Sequence, residues 1–125
     1  MKSDGFRKAV EALDLDATLA QMSPTIILHS PVTDEPLEGK RAVGKLFTIL
    51  FHVFKDLRFV GTYCSEDGAE LLHFRWHLGD REVEGVDMMR FDEAGLIDDY
   101  TVMIRPLSAL LGLRDEVWSR IEQSE

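Results

Sequence analysis

Val83-Glu84-Gly85-Val86-Asp87-Met88-Met89-Arg90-Phe91-Asp92-Glu93-Ala94-Gly95-Leu96-Ile97, running on to Val102-Met103-Ile104-Arg105-Pro106, is the stretch whose reading decides the fold. Asp92 to Gly95 supplies turn chemistry between two β-rich runs, so Val83 to Phe91 and Leu96 to Arg105 read as adjacent strands of an antiparallel hairpin. The two-residue period of a strand puts Asp87 on one face with Val83, Gly85, Met89 and Phe91. A carboxylate on so apolar a face must find partners or take up a proton, because burying it charged and alone is too costly. Asp87 is therefore either a paired structural residue or a tuned acid or base.

The neighbouring sequence extends the pattern in both directions. Upstream, Leu57 to Cys64 alternates, Ser65-Glu66-Asp67-Gly68 is a hairpin turn signal, and Ala69 to Leu78 forms the next strand before Gly79-Asp80 turns into the Val83 run. The result is a meander of four antiparallel strands. Before it, Ala42, Val43, Leu46, Phe47, Leu50, Phe51 and Phe54 follow the 3.6 period and predict the main packed helix over Lys40 to Phe54. Nearer the start, Ser3 or Asp4 can cap a helix carrying Phe6, Ala9, Val10 and Leu13. Asp14 or Asp16 can cap a short second helix, which Ser23-Pro24 ends. Thr25 to Ser30 is β-rich, and Pro31 to Gly39 is a loop by composition. At the other end, Leu107, Leu110, Leu111, Val117, Trp118 and Ile121 make one helical stripe fit to cover a sheet edge or meet a partner chain.

The chain has 125 residues, enough for one domain over 1–125 with a real core and no staples. Its net charge of −9 opposes binding to nucleic acid or an anionic membrane, leaving small molecules and other proteins as partners. The single cysteine, Cys64, allows no intramolecular disulfide and no cysteine-rich zinc site. The first residues lack an apolar signal core, and no apolar run reaches the roughly 20 residues of a membrane helix, so a cytoplasmic protein is expected. There is no glycine-rich phosphate loop, and His73 and His77, four residues apart on a strand, stand about 13 Å apart, too far to share a metal. No metal and no cofactor are expected. His73, Arg75 and His77 instead read as a surface or dimer face.

Gly-Val-Asp at 85–87, the turn Arg90-Phe91-Asp92-Glu93-Ala94-Gly95-Leu96-Ile97 and a closing strand ending in Arg105-Pro106 resemble the nuclear transport factor 2-like superfamily, in particular its SnoaL-like members. That resemblance implies an α+β fold, a cone-like curved antiparallel sheet wrapped around helices as a cystatin-like α+β barrel, with a pocket at its open end. It also implies a homodimer. The superfamily includes isomerases, cyclases, dehydratases, epoxide hydrolases and proteins with no chemistry, so the fold does not settle the function. By the likeness to its steroid isomerases, Asp87 stands where a protonated acid would be, Ser30 where the general base would be and Phe6 where a tyrosine would be. Two of three catalytic groups are thus absent, and steroid isomerisation by that mechanism is not expected.

Within such a cone, the strand parities bring Phe74 and Trp76 beside Asp87 and Met89 from one side and Tyr100, Val102 and Ile104 from the other. An aromatic and aliphatic cavity with few polar groups suits a small apolar ligand. The expected catalytic pair is Asp87 as acid/base with Tyr100 as hydrogen-bond donor, and the expected ligand contacts are Ser30, Phe74, Trp76, Met89 and Val102. Burial would raise the Asp87 pKa toward neutrality, where proton transfer is most effective. The first reading is thus a cofactor-independent isomerase, cyclase or dehydratase-like enzyme. The second is a non-catalytic ligand-binding or dimerisation module in which backbone or an arginine such as Arg90 or Arg105 holds Asp87. An epoxide hydrolase ranks third, because no Arg-x-Asp spacing lies on the Ala69 to Leu78 strand and Val102 and its neighbours are apolar.

Overall fold

The decisive hairpin forms with Asp92 as its organiser. In the computed structural model, which describes residues 1–124, one Asp92 carboxylate oxygen accepts from the backbone N–H groups of Ala94 and Leu96, both at 2.9 Å, while Gly95 takes a positive φ of 83°. That left-handed backbone is the reason a glycine ends this turn. The turn joins β5 (Arg81–Phe91) to β6 (Ile97–Arg105), and Asp87 lies directly opposite Val102.

The remaining elements are α1 (Asp4–Glu11), α2 (Leu15–Ala20), β1 (Met22–His29), β2 (Leu37–Glu38), α3 (Lys40–Val53), β3 (Lys55–Cys64), β4 (Glu70–Leu78) and α4 (Leu107–Ser124). They make an α+β fold around a curved six-stranded sheet in the order β2-β1-β6-β5-β4-β3. The expected meander β3 to β6 is present with each neighbouring pair antiparallel.

Three expectations change. The sheet does not close into a barrel: β2 and β3 are its two edges. It is not wholly antiparallel either, because β1 runs parallel to β6. Helix α3 and the β3 to β5 meander lie between those two strands in sequence, which gives the chain the length a parallel pairing requires. The loop Pro31 to Gly39 also contains β2, whose Leu37 and Glu38 pair with Leu28 and Ile27.

The concave face carries the core. Along β4 and β5 every second residue is buried, which is the signature of a sheet with one face packed and one solvated. Phe6 and Val10 from α1, and Val43 and Phe47 from α3, pack on Met22, Ile26, Leu28, Leu72, Met89, Ile97 and Tyr100. At the other end of the cone, Val53, Phe74, Trp76 and Val83 pack with Ala109, Leu113 and Val117 of α4. The buried stripe of α4 is therefore 109, 113 and 117, spaced by four. Leu107 and Trp118, expected on that stripe, are exposed at 68% and 52%.

Candidate functional site

Period-two geometry turns Asp87 inward from the middle of β5, where its side chain is buried, 4% exposed, among apolar neighbours. Burial pushes its pKa from 3.8 up to about 7, since an ionised carboxylate loses its hydration there, and a hydrogen bond from the Tyr100 hydroxyl opposes the shift. Tyr100 is itself buried, and its own pKa is held well above the usual phenol value by that burial and by the neighbouring carboxylate. Neither arginine offered for Asp87 reaches it. Arg90 pairs with Asp67 at 2.8 Å and Arg105 with Glu84 at 3.1 Å, both on the outer face.

Tyr100 is fixed by rings. Phe6 meets it edge-to-face with centroids 5.7 Å apart, and Phe47 lies at 6.2 Å. Phe6 occupies the place where the resemblance calls for a tyrosine, so a phenol is supplied here from β6, against the same ring.

The cavity that Asp87 enters is also lined by Ser30, Phe74, Trp76, Tyr100 and Val102, together with Phe6 and Val10 of α1 and Leu113 and Val117 of α4. Six of the seven expected residues thus meet in one place. The cavity volume is about 60 Å³. It is a narrow slot with an apolar wall. Met89 is the exception among the expected contacts: it is fully buried between Glu70 of β4 and Tyr100 of β6 and packs in the α1–α3 core without lining the slot. Strand parity assigned it the correct face, but the core on that face is filled at its level. Ser30 stands in the cavity wall, and its Oγ accepts from the Val32 N–H at 3.3 Å.

Between Asp87 and Val83 on the concave face lies Gly85, and its lack of a side chain is required. A Cβ there would stand 2.6 Å from Phe74 Cζ and collide with the Met103 carbonyl oxygen. The Phe74 ring therefore lies across Gly85 and paves the cavity floor.

Other polar groups point away. His73 Nε2 and Arg75 Nη2 meet Glu84 at 2.7 and 3.1 Å, and the bonds from His73 and Arg105 hold the Glu84 pKa below its usual value. Asp98 accepts from Ser23 and Thr25, and Asp99 meets His29 at 3.1 Å. Among the described residues, no group of three His, Cys, Asp or Glu side chains could hold a metal ion.

One buried carboxylate lay outside the sequence reading. Glu70, 5% exposed at the start of β4, accepts from the Lys2 and Ser3 backbone N–H groups, each at 3.1 Å, and from the Ser3 hydroxyl. It caps α1 from another element. Ser3 is the N-cap as expected, yet its own hydroxyl makes no capping bond. The only hint in sequence was a glutamate on the inward parity of that strand, in line with Leu72, Phe74 and Trp76.

Comparisons with known proteins are consistent with this geometry. The family model of the SnoaL-like domain matches residues 4–100. No curated protein matches the chain. A crystal structure of a steroid delta-isomerase from Pseudomonas aeruginosa superposes with a TM-score of 0.91 at 30% identity, covering 98% of this chain and 90% of that one. An uncharacterised bacterial protein with a cystatin-like fold from Silicibacter pomeroyi gives a TM-score of 0.90 at 23% identity, covering 97% and 85%. The epoxide hydrolase/cyclase-like enzyme SalBIII gives 0.70 at 16%, covering 83% and 88%.

Proposed function

Since the chain belongs to the family of SnoaL-like domains, in the nuclear transport factor 2-like superfamily, we propose that it is a cofactor-independent acid/base enzyme acting on a small apolar molecule in the cone cavity. Its reaction is an isomerase, cyclase or dehydratase-like proton transfer. The observation that carries this reading is a buried carboxyl with a pKa of about 7 facing an apolar cavity beside a phenol.

The proposed step uses Asp87 alone as proton carrier. Ionised, it takes a proton from a carbon next to a carbonyl, and the C–H electron pair moves into the carbonyl system. As the carboxylate is neutralised, it binds the Tyr100 hydroxyl less strongly, freeing that donor for the oxygen on which charge develops. Asp87 then returns the proton to another carbon of the same ligand. The reading takes residues 1–125 as one domain, which is supported by cores running from Phe6 to Val117, and the working unit as a homodimer.

The test is turnover of β,γ-unsaturated ketones to their conjugated isomers, followed by ultraviolet absorbance. Asp87→Asn is expected to fold and to lose roughly a hundredfold or more in rate. Equal rates in the two proteins would remove Asp87 from catalysis.

The second reading, a non-catalytic ligand-binding module of the same fold, draws support from the short inventory: Ser30 and Phe6 stand where a base and a tyrosine are called for. It predicts no turnover by either protein and a change in stability alone. The epoxide hydrolase reading has less support, because Asp98 and Asp99 are engaged by Ser23, Thr25 and His29.

A further inference from the structure

The slot beside Asp87 has a volume of about 60 Å³, whereas a cavity that holds a benzene ring measures about 150 Å³. Entry of a ring-sized molecule therefore requires one wall to yield. The walls are not equally fixed, and their attachments identify the one that moves.

The floor belongs to the hydrogen-bonded ladder of β4, β5 and β6, with the Phe74 ring lying over Gly85. Helix α1 is tied at its start by Glu70, which accepts from Lys2 and Ser3, and at its end by Glu11, which accepts from the Phe59 N–H at 3.2 Å. Its Phe6 ring also meets the rings of Phe47, Phe59 and Tyr100. Helix α3 places Val43 and Phe47 in the main core.

Helix α4 is attached near one end. In its first turn Arg81 Nη1 donates to the Ser108 carbonyl oxygen at 2.7 Å, and one turn later Gly112 lies so near Leu78 that a Cβ would stand 3.0 Å from Leu78 Cδ2. Both contacts go to the residues that flank the turn between β4 and β5. Beyond them, Leu113 and Val117 line the cavity with aliphatic side chains, while Leu111 and Trp118 on the other side of the helix are exposed. Aliphatic contacts are non-directional, so a segment resting on them opens at lower cost than one anchored by buried hydrogen bonds.

We propose that α4 is the gate of the cavity: it swings about its first turn, lifts Leu113 and Val117 off the slot to admit a ligand, and closes over it. Closure then shields Asp87 from water. The gate rests on the reading of the cavity as a small-molecule site and governs access to it, not proton transfer.

Tying the helix down tests this. In a Cys64→Ser background, Leu78→Cys with Gly112→Cys brings two thiols together, and the first change removes the methyl that a Cβ at 112 would crowd. Oxidation adds a covalent tie one turn beyond the Arg81 bond, and two ties a turn apart fix the direction of the helix axis. Association of N-phenyl-1-naphthylamine, whose fluorescence rises on burial, is followed by stopped flow. The oxidised protein is expected to bind roughly tenfold or more slowly than the same protein in dithiothreitol, because the association rate scales with the open population. The wild type should be indifferent to the reductant. Equal rates in the two states, with the bond verified by mass, would overturn the gate while leaving the cavity as a ligand site. Absence of binding to the wild type would overturn the cavity reading along with it. Should the thiols fail to join, native-state hydrogen exchange decides. Amides from 112 to 120 should exchange through a local opening before those of α3 around Phe47, and exchange of the two helices together would overturn the gate.

Discussion

At the scale of single residues, Asp87 was the most legible feature of the sequence. An acid at an inward position of an apolar strand announces itself by parity alone, and Tyr100, Phe74, Trp76 and Val102 follow by the same rule applied to the neighbouring strands. Parity fixes a face but not a depth along it. Met89 shows the limit, because at its level α1 and α3 fill the concave side while at Asp87 they leave a slot. The raised Asp87 pKa has a consequence for stability. The native carboxyl holds its proton up to about 7 and the unfolded one only to 3.8, so between these values unfolding releases a proton and stability falls as pH rises. Relative to Asp87→Asn, which does not titrate, the wild type should therefore lose on the order of 4 kcal/mol from pH 4 to pH 7 and change little above that. Denaturant melts of both proteins across this range check the sign. If the proposed proton transfer holds, turnover should move oppositely, rising with pH to a plateau above about 7, since the ionised form is the one that accepts the proton.

Among the elements, α1 shows how a helix end can be satisfied from far away in the chain. Its capping carboxylate, Glu70, comes from β4, and Ser3 is 67 positions away in sequence. No local pattern could reveal that partnership, whereas Asp14 capping α2 through Ala17 at 3.0 Å was readable because donor and acceptor lie three residues apart. Glu70→Ala should cost about 1–3 kcal/mol by leaving the Lys2 and Ser3 donors unpaired, and Glu70→Gln should recover part of it, with urea midpoints as the measure. A change at exposed Glu66 should be neutral by comparison. Helix α4 was legible as a helix but not in its orientation. Several apolar stripes fit its sequence, and the crossing over β4, β5 and β6 selects Ala109, Leu113 and Val117.

For the whole molecule, the outer face of the sheet is the feature still unpartnered. Met103, Met88 and Tyr63 are 53%, 40% and 59% exposed there, beside the charged set of His73, Arg75, Glu84 and Arg105. Apolar residues rimmed by charge fit an interface between two copies, so light scattering at micromolar concentration is expected to give roughly twice the 14.2 kDa chain mass. Met103→Glu should return the monomer. A wild-type monomer under those conditions would refute the dimer.

By itself the sequence determined the element order, the β3 to β6 meander, the inward faces and the place of Asp87 on one of them, because these depend on short-range periodicity and turn chemistry that neighbouring residues carry together. Tertiary structure decided the rest: the parallel seating of β1 on β6, the open edge where a barrel was expected, the cap from Glu70, and the slot that admits Asp87 and Trp76 but not Met89. Each of these depends on how far apart two distant segments come to rest. That separation is set by packing of the whole core, which no local pattern in the chain encodes.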